Sequence, residues 1–342
     1  MSKTILITGG AGFIAHHVIE EILNKTDWNV ISLDRLDFSG NLNRLQDIVG
    51  ERKDKKRVKV VYHDLKAPLN SQIISSIGKV DYIAHLAAGS HVDRSIDYPM
   101  EFVLDNVVGT ANILDYAKSI DSLDKFVYFS TDEVFGPAPK EINYKENDRY
   151  NSTNPYSATK AGAEELVVAY ENTYRMPNII THTMNVFGER QHPEKFIPMC
   201  ISKILSEKTV TIHSNPEKTN AGSRHYIHAK DVSDAVWFLM NYDETKLKVQ
   251  DFGGAKCHKF NIVGPREIDN LELANMIANH QNKELKYEMV DFHTARPGHD
   301  LRYALDGNKM EKMGWKPSCV DNRLGEVVDW TINNDRWLFN NS

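Results

Sequence analysis

TILITGGAGFIA, residues 4–15, joins an apolar run to a cluster of glycines and then to the opening of an amphipathic stretch. A β-rich run that breaks on glycines and resumes at helical spacing reads as a strand, a tight turn and a helix. Gly9 and Gly12 let the backbone turn and come close to a pyrophosphate, whose charge sits on the amides and positive dipole of the helix opening at Phe13 and Ile14. The third small position is Ala15, where the demand is close helix-to-strand packing. A glycine pattern by itself is weak. This one is answered by Asp34 at the end of the next β-rich run, WNVISLD, about 20 residues on, where a carboxylate can hold both ribose hydroxyls. Asp34 repels a 2′-phosphate and so selects NAD over NADP, while Arg35 beside it is the feature that speaks for NADP.

Outward from that stretch the alternation continues. VKVVYHD (58–64) precedes LNSQIISSIG, VDYIAHLAA (80–88) precedes EFVLDNVVGTANILDYAKS, FVYFST precedes PYSATKAGAEELVVAYENTYR, and NIITHTMN (178–185) follows. The short runs are apolar almost throughout, as strands buried on both faces must be. Strand and helix in regular alternation imply right-handed crossovers and an α/β, Rossmann-type, doubly wound parallel sheet. Past residue 188 prolines break shorter elements, which reads as a smaller mixed α/β substrate-binding lobe. The expected division is 1–188 for the nucleotide-binding domain, with part of about 226–262 returning to it, and 189–342 for the second lobe.

Composition removes several functions. Lys and Arg number 41 against 47 Asp and Glu, a net charge of −6, which gives no basic field for nucleic acid or an anionic membrane. No segment has the apolar length of a membrane span, and MSKTILITGG lacks the long apolar core of a signal peptide. Cys200, Cys257 and Cys319 are far apart, which fits reduced thiols in a cytoplasmic protein. Apart from the adjacent His16 and His17 the histidines are scattered, and no metal is predicted.

DKFVYFSTDEVFG, residues 124–136, ends an apolar strand on Ser130 and Thr131 and then presents Asp132 and Glu133 side by side. A strand meeting water is the bland explanation. A tyrosine and a lysine four apart on a helix share one face, where the ammonium can stabilise a tyrosinate and lower the phenol pKa. Four pairs have this spacing: Tyr62 with Lys66, Tyr156 with Lys160, Tyr226 with Lys230, and Tyr242 with Lys246. Only Tyr156 and Lys160 combine a clear helix start, NPYSATKAGAEE, with a hydroxyl-bearing strand end a short way upstream. In a doubly wound sheet that strand end points at the ligand crevice.

TGGAGFIA, HLAA, FVYFSTDEVFG and NPYSATKAGAEE together resemble the extended short-chain dehydrogenase/reductase family, over almost the whole chain. Within it the TDE triplet, NVFGERQHPEKFIP (185–198) and RPGHDLRYALD (296–306) resemble the nucleoside-diphosphate-glucose 4,6-dehydratases. The resemblance implies a lyase reaction on dTDP-glucose or UDP-glucose with bound NAD. Tyr156, supported by Lys160, takes the proton of the sugar 4-hydroxyl, Thr131 holds the 4-oxygen, Glu133 removes the C5 proton and Asp132 protonates the departing 6-hydroxyl. Hydride leaves C4 for NAD and returns to C6, giving the 4-keto-6-deoxy sugar of rhamnose-type pathways. This requires a protonated Asp132 and an ionised Glu133 at rest.

The same resemblance adds Asp64, Leu65, Leu86, Ala87 and Ala88 to the cofactor contacts, and implies Ser90, His91, Asn185, Lys195, Arg224, Asn261, Arg296 and His299 as substrate contacts. His91 would equally cap the helix that follows it. The resemblance also implies a homodimer built on the helices at about 101–118 and 156–173. Gly89 and Ala295 depart from residues common in these dehydratases, and uridine and thymidine nucleotides both remain open. Asp132 separates this reading from sugar 4-epimerases and UDP-glucuronate decarboxylases, which expel no water from C6. A non-catalytic NAD-binding protein would have lost Tyr156, Lys160 or the acids, and all are intact.

Overall fold

A computed structural model describes residues 2–37, 39–243, 258–291 and 301–338. Strand β1 (Thr4–Thr8) runs into helix α1 (Phe13–Lys25), followed by β2 (Asn29–Asp34), α2 (Leu42–Val49), β3 (Val58–Tyr62), α3 (Ser71–Ile77) and β4 (Tyr82–His85). Two short helices, α4 (Val92–Asp97) and α5 (Pro99–Phe102), lead through a wide π-turn, Val103–Val108, into α6 (Gly109–Lys118). Then come β5 (Lys125–Thr131), a tight 3₁₀ turn (Asp132–Phe135), α7 (Pro155–Tyr174) and β6 (Asn178–Thr183).

The second half carries β7 (Val186–Phe187), α8 (Phe196–Leu205), β8 (Val210–Ser214), β9 (Ser223–His225), β10 (Ile227–His228), α9 (Ala229–Asn241), β11 (His258–Ile262), β12 (Glu267–Asp269), α10 (Asn270–His280) and β13 (Tyr287–Asp291). Helices α11 (Asn308–Lys312) and α12 (Val320–Ile332) follow.

Among the described residues one sheet dominates, with strand order β11-β6-β5-β4-β1-β2-β3 and every pairing parallel. This is the doubly wound sheet expected from the sequence, and the order reverses at β1, which is where such sheets bind ligands. Alternate residues feed two cores, as the period of a strand requires. Ile5, Ile7, Val127 and Phe129 pack toward α1 and α9, while Leu6, Phe126 and Tyr128 pack toward the α3, α6 and α7 side. A third core gathers Phe187, Ile201, Ile212, Leu273 and Leu324 from the second half of the chain.

Register sets what meets in the crevice. Thr8 lies opposite Leu33 on one side and His85 on the other, and Thr131 lies opposite Thr183. Arg44 is buried and ties the segment at Arg190 to the glycine turn: it donates to the Ala11 and Ser39 carbonyl oxygens (3.0 and 2.7 Å) and to that of Arg190 (3.1 Å). No described helix is long and apolar enough to cross a membrane.

Candidate active site

A cavity of about 1090 Å³ runs along the ends of the parallel strands, from Gly9 and Asp34 to Asn185 and Lys195. At its first half, Gly9 holds φ +69°, and a Cβ there would stand 2.9 Å from the backbone of Ala87. A Cβ on Gly12 would stand 2.8 Å from the Gly9 carbonyl oxygen, which accepts the Gly12 amide. Side chains at either position would fill the cradle between β1 and β4. Gly12 is also the N-cap of α1 and offers no side chain to its first amides, which are left to a ligand anion.

Asp34 closes the far end, its Oδ2 accepting from the Ala11 amide (3.0 Å) and its Oδ1 from Leu36 (2.7 Å). Arg35 is gripped by both oxygens of Asp105 (2.5 and 2.8 Å), with Asp37 at 2.5 Å on the other side. A guanidinium already neutralised by two carboxylates leaves a 2′-phosphate facing Asp34, so the cradle fits NAD.

The second half grows from the end of β5. Thr131 donates its hydroxyl to Asp132 Oδ1 (3.0 Å) and accepts the Glu133 amide (3.4 Å), so one threonine shapes the turn that carries both acids. Asp132 is buried, and its Oδ2 finds no partner among the described residues. Glu133 Oε2 accepts from the Asn154 side-chain amide at 3.1 Å. Tyr156 and Lys160 stand one turn apart at the start of α7, which is fixed by Pro155 and by a reciprocal cap between Asn154 and Ser157.

Burial raises the Asp132 carboxyl to about 6, opposed by Arg224 and the Thr131 hydroxyl. Burial, then the charge of Asp132, raises Glu133 to about 7 against the pull of Asn154, Arg224 and Lys195. Both acids are raised toward neutrality, so the proton belongs to the pair and not to either carboxyl alone. Between pH 6 and 7 the pair keeps about one proton.

The Tyr156–Lys160 pair also differs from expectation. Lys160 donates to the Phe129 carbonyl oxygen (2.7 Å) and lies over the Tyr128 ring, and burial lowers its pKa to about 7. The Tyr156 phenol is raised, by burial first and by Glu133 second, with a hydrogen bond from Thr131 opposing. The lysine's charge is directed at the strand and not at the phenol.

A family profile described as GDP-mannose 4,6 dehydratase matches residues 6–324. The chain is 33% identical to dTDP-glucose 4,6-dehydratase 1 of Escherichia coli K12, over 98% of this chain and 94% of that protein. The chain belongs to the nucleoside-diphosphate-glucose 4,6-dehydratases of the extended short-chain dehydrogenase/reductase family. It is 35% identical to a trifunctional UDP-glucose 4,6-dehydratase/3,5-epimerase/reductase of Arabidopsis thaliana, over 98% of this chain and 48% of that protein, so it spans about half of that relative. Among solved structures, the dTDP-glucose 4,6-dehydratase DesIV of Streptomyces venezuelae, crystallised with NAD, superposes with a TM-score of 0.82 at 31% identity, covering 98% of each chain. The NAD complex of the Bacillus anthracis dTDP-glucose 4,6-dehydratase superposes at 0.83 with 29% identity, also over 98% of each.

As a dehydratase-family site, the cavity gathers most of the residues expected from the sequence. Gly9, Gly12, Phe13, Ile14, Asp34, Asp64, Leu65, Leu86, Ala87 and Ala88 line its nucleotide half. Thr131, Asp132, Glu133, Tyr156 and Lys160 line the other, with Ser90, His91, Asn185 and Lys195 around them. His91 lines the cavity and also caps α4, accepting the Arg94 amide at 3.4 Å.

Two expected substrate contacts sit elsewhere. Asn261 is fully buried: its amide donates to the Tyr144 and Asp306 carbonyl oxygens (3.0 and 3.1 Å) and its Oδ1 meets His182 Nδ1 at 3.0 Å, which makes it a tie between β11, β6 and the segments beside them. Arg224 lies off the cavity wall, donating to the Ser223 and Leu301 carbonyl oxygens and covering the Tyr303 ring, although its charge still acts on both acids. Arg296, His299, Ala295 and Cys257 lie outside the described residues.

At Gly89, a Cβ would come within 3.1 Å of the Phe102 ring, so this wall of the site is built by Phe102. Of the other tyrosine–lysine pairs, Tyr226 donates to Asn270 and Lys230 to Glu189, which separates them.

Sequence reasoning missed two wall positions, Ser130 and Thr183, and also Asn154, which bonds the wall residue Glu133. Ser130 and Thr183 are buried at neighbouring strand ends, and their hydroxyls find no partner among the described residues. Ser130 was visible in the hydroxyl-bearing strand end, whereas nothing local marks Thr183. Asn154 was visible only as a helix start.

Proposed function

We propose that the protein removes water from dTDP-glucose or UDP-glucose and yields the 4-keto-6-deoxyglucose nucleotide, with NAD as a catalytic cofactor. The observation that carries this reading is the pair Asp132 and Glu133 at the end of β5, facing the same cavity as Tyr156 and continuous with the glycine cradle. Bound NAD would supply the hydride acceptor for C4 and the donor for C6, and Gly9, Gly12 and Asp34 would hold its pyrophosphate and ribose.

Tyr156 takes the proton of the 4-hydroxyl, and Thr131 orients that oxygen. The ketone acidifies C5–H, which Glu133 removes, while Asp132 protonates the leaving 6-hydroxyl so that water departs. Afterwards Glu133 returns its proton to C5. One proton shared by the pair serves both roles, since with Asp132 protonated Glu133 is the ionised base, and their adjoining places on one turn let the proton pass between them. Lys195 and Asn185 face the substrate end of the cavity, and Lys195 suits the diphosphate.

Incubation of the protein with each nucleotide sugar should give a product lighter by one water, with the absorbance of a 4-keto sugar in base. A product of unchanged mass would mean epimerisation, and CO₂ from UDP-glucuronate would mean decarboxylation. Either result overturns the reading.

The protein assembles as a homodimer in this proposal. Met100 and Leu104 are exposed at the entry to α6, beside α7, on the helical face the sequence marked. Light scattering is expected to give twice the chain mass, and Leu104→Arg to halve it. The setting is cytoplasmic, in keeping with the free thiols of Cys200 and Cys319.

A further inference from the structure

We propose that Asn154 is a positioning residue for Glu133, holding the base with one end of its side-chain amide while the other end starts the helix that carries Tyr156. This rests on the assignment of Glu133 as the C5 base. Asn154 is buried. Its Oδ1 accepts from the Ser157 amide at 2.8 Å, and the Ser157 hydroxyl answers at the Asn154 amide (3.3 Å). The opposite atom, Nδ2, donates to Glu133 Oε2 at 3.1 Å, across 21 positions of sequence.

Helix starts accept Ser, Thr, Asp or Asn almost equally, because each offers an oxygen to the first amides. Only asparagine has that oxygen and a two-hydrogen donor fixed on one rigid plane. A serine hydroxyl is too short to span the same gap, and an aspartate brings a second negative charge. The choice of asparagine therefore answers a demand beyond capping. It couples the carboxylate to the backbone two residues before Tyr156, so base and phenol keep a fixed spacing around the sugar C4–C5 bond.

The contact also favours the ionised carboxylate, since it offers a donor to that form. The other charged or titratable groups that act on Glu133 are Asp132 on its own turn, Tyr156 on α7, Arg224 on β9 and Lys195 at the start of α8. Arg224 and Lys195 act by charge from the second lobe, whereas Asn154 acts through a direct hydrogen bond.

Asn154→Ser and Asn154→Asp both keep a helix cap and remove the donor. Protein labelled with ¹³C-glutamate, with Glu133→Gln identifying the resonance, reads the Glu133 titration without substrate. Its midpoint is expected to rise by about one pH unit in Asn154→Ser and further in Asn154→Asp, the scale of a lost hydrogen bond to a charged group. The acid limb of the dehydration rate should move with it, and exchange of the C5 proton with deuterated solvent should slow about tenfold. Single-turnover formation of NADH, which reports C4 oxidation, should keep the wild-type rate.

An unmoved midpoint in both variants overturns the assignment. So does a parallel loss of NADH formation, dehydration and melting temperature, which would reduce Asn154 to a cap. If the midpoints rise while the unmodified protein dehydrates no sugar nucleotide, the positioning contact stands and the dehydratase reading falls.

Discussion

Replacing Tyr156 with phenylalanine is expected to stop the reaction before any hydride moves. The phenol is the one ionisable oxygen on the α7 face of the cavity, and without it the proton of the sugar 4-hydroxyl has no acceptor as C4 becomes a ketone. Loss of a general base costs about 10²- to 10⁴-fold, and here it falls on the step that all later ones need. Absorbance of NADH after mixing with dTDP-glucose or UDP-glucose should fall by that factor, and product formation with it. The ring itself packs with Val92 and Phe102, a cluster that phenylalanine preserves, so the melting temperature and NAD content should stay near wild type. Folded, NAD-loaded Tyr156→Phe protein that still forms NADH at the original rate would remove Tyr156 from the chemistry. Because burial and the acids raise the phenol, the same measurement should show C4 oxidation accelerating with pH until the acids are ionised.

The nucleotide half could be read from the chain because its demands are local. A turn that passes within van der Waals contact of Ala87 needs Gly9, and Asp34 ends the very next strand. The acids could not be read from their strand end alone, and it was the resemblance carried by the TDE triplet that placed Asp132 and Glu133 in one crevice with Tyr156, where the cavity holds all three. What escaped depends on partners distant in sequence. Asn261 has the look of a cleft residue at a strand end, but its acceptors are Tyr144 and Asp306, and no local pattern announces them. Spacing places Lys160 on the face of Tyr156, yet it cannot reveal that the Phe129 carbonyl on β5 lies closer to the ammonium.

Glu133→Gln separates the two halves of the chemistry. Tyr156 is untouched, so C4 oxidation should proceed and NADH should accumulate as the 4-keto-glucose nucleotide waits for a base. Dehydration should fall about 10²- to 10⁴-fold, and wash-in of deuterium at C5 should disappear. Glutamine can still accept from Asn154 Nδ2, so the geometry of the turn survives the change.

Because the reaction needs one proton on the pair, wild-type dehydration should peak between about pH 6 and 7 and fall on either side, and the residual rate of the variant should keep only the fall as Asp132 ionises. The folded-state pKa of Glu133 is raised from 4.5 to about 7, so the native state binds more protons than the unfolded chain between those values and loses stability as pH rises through them. Glutamine carries no such penalty. Since the carboxyl keeps some exposure to the cavity, the variant should gain about 1 kcal/mol over wild type above pH 7, a difference that vanishes below about 4.5. Urea melts at pH 4 and pH 8 would measure it. A variant that is slower at C5 yet no more stable at pH 8 would mean that the Glu133 pKa is not raised in the folded protein, neither by burial nor by Asp132.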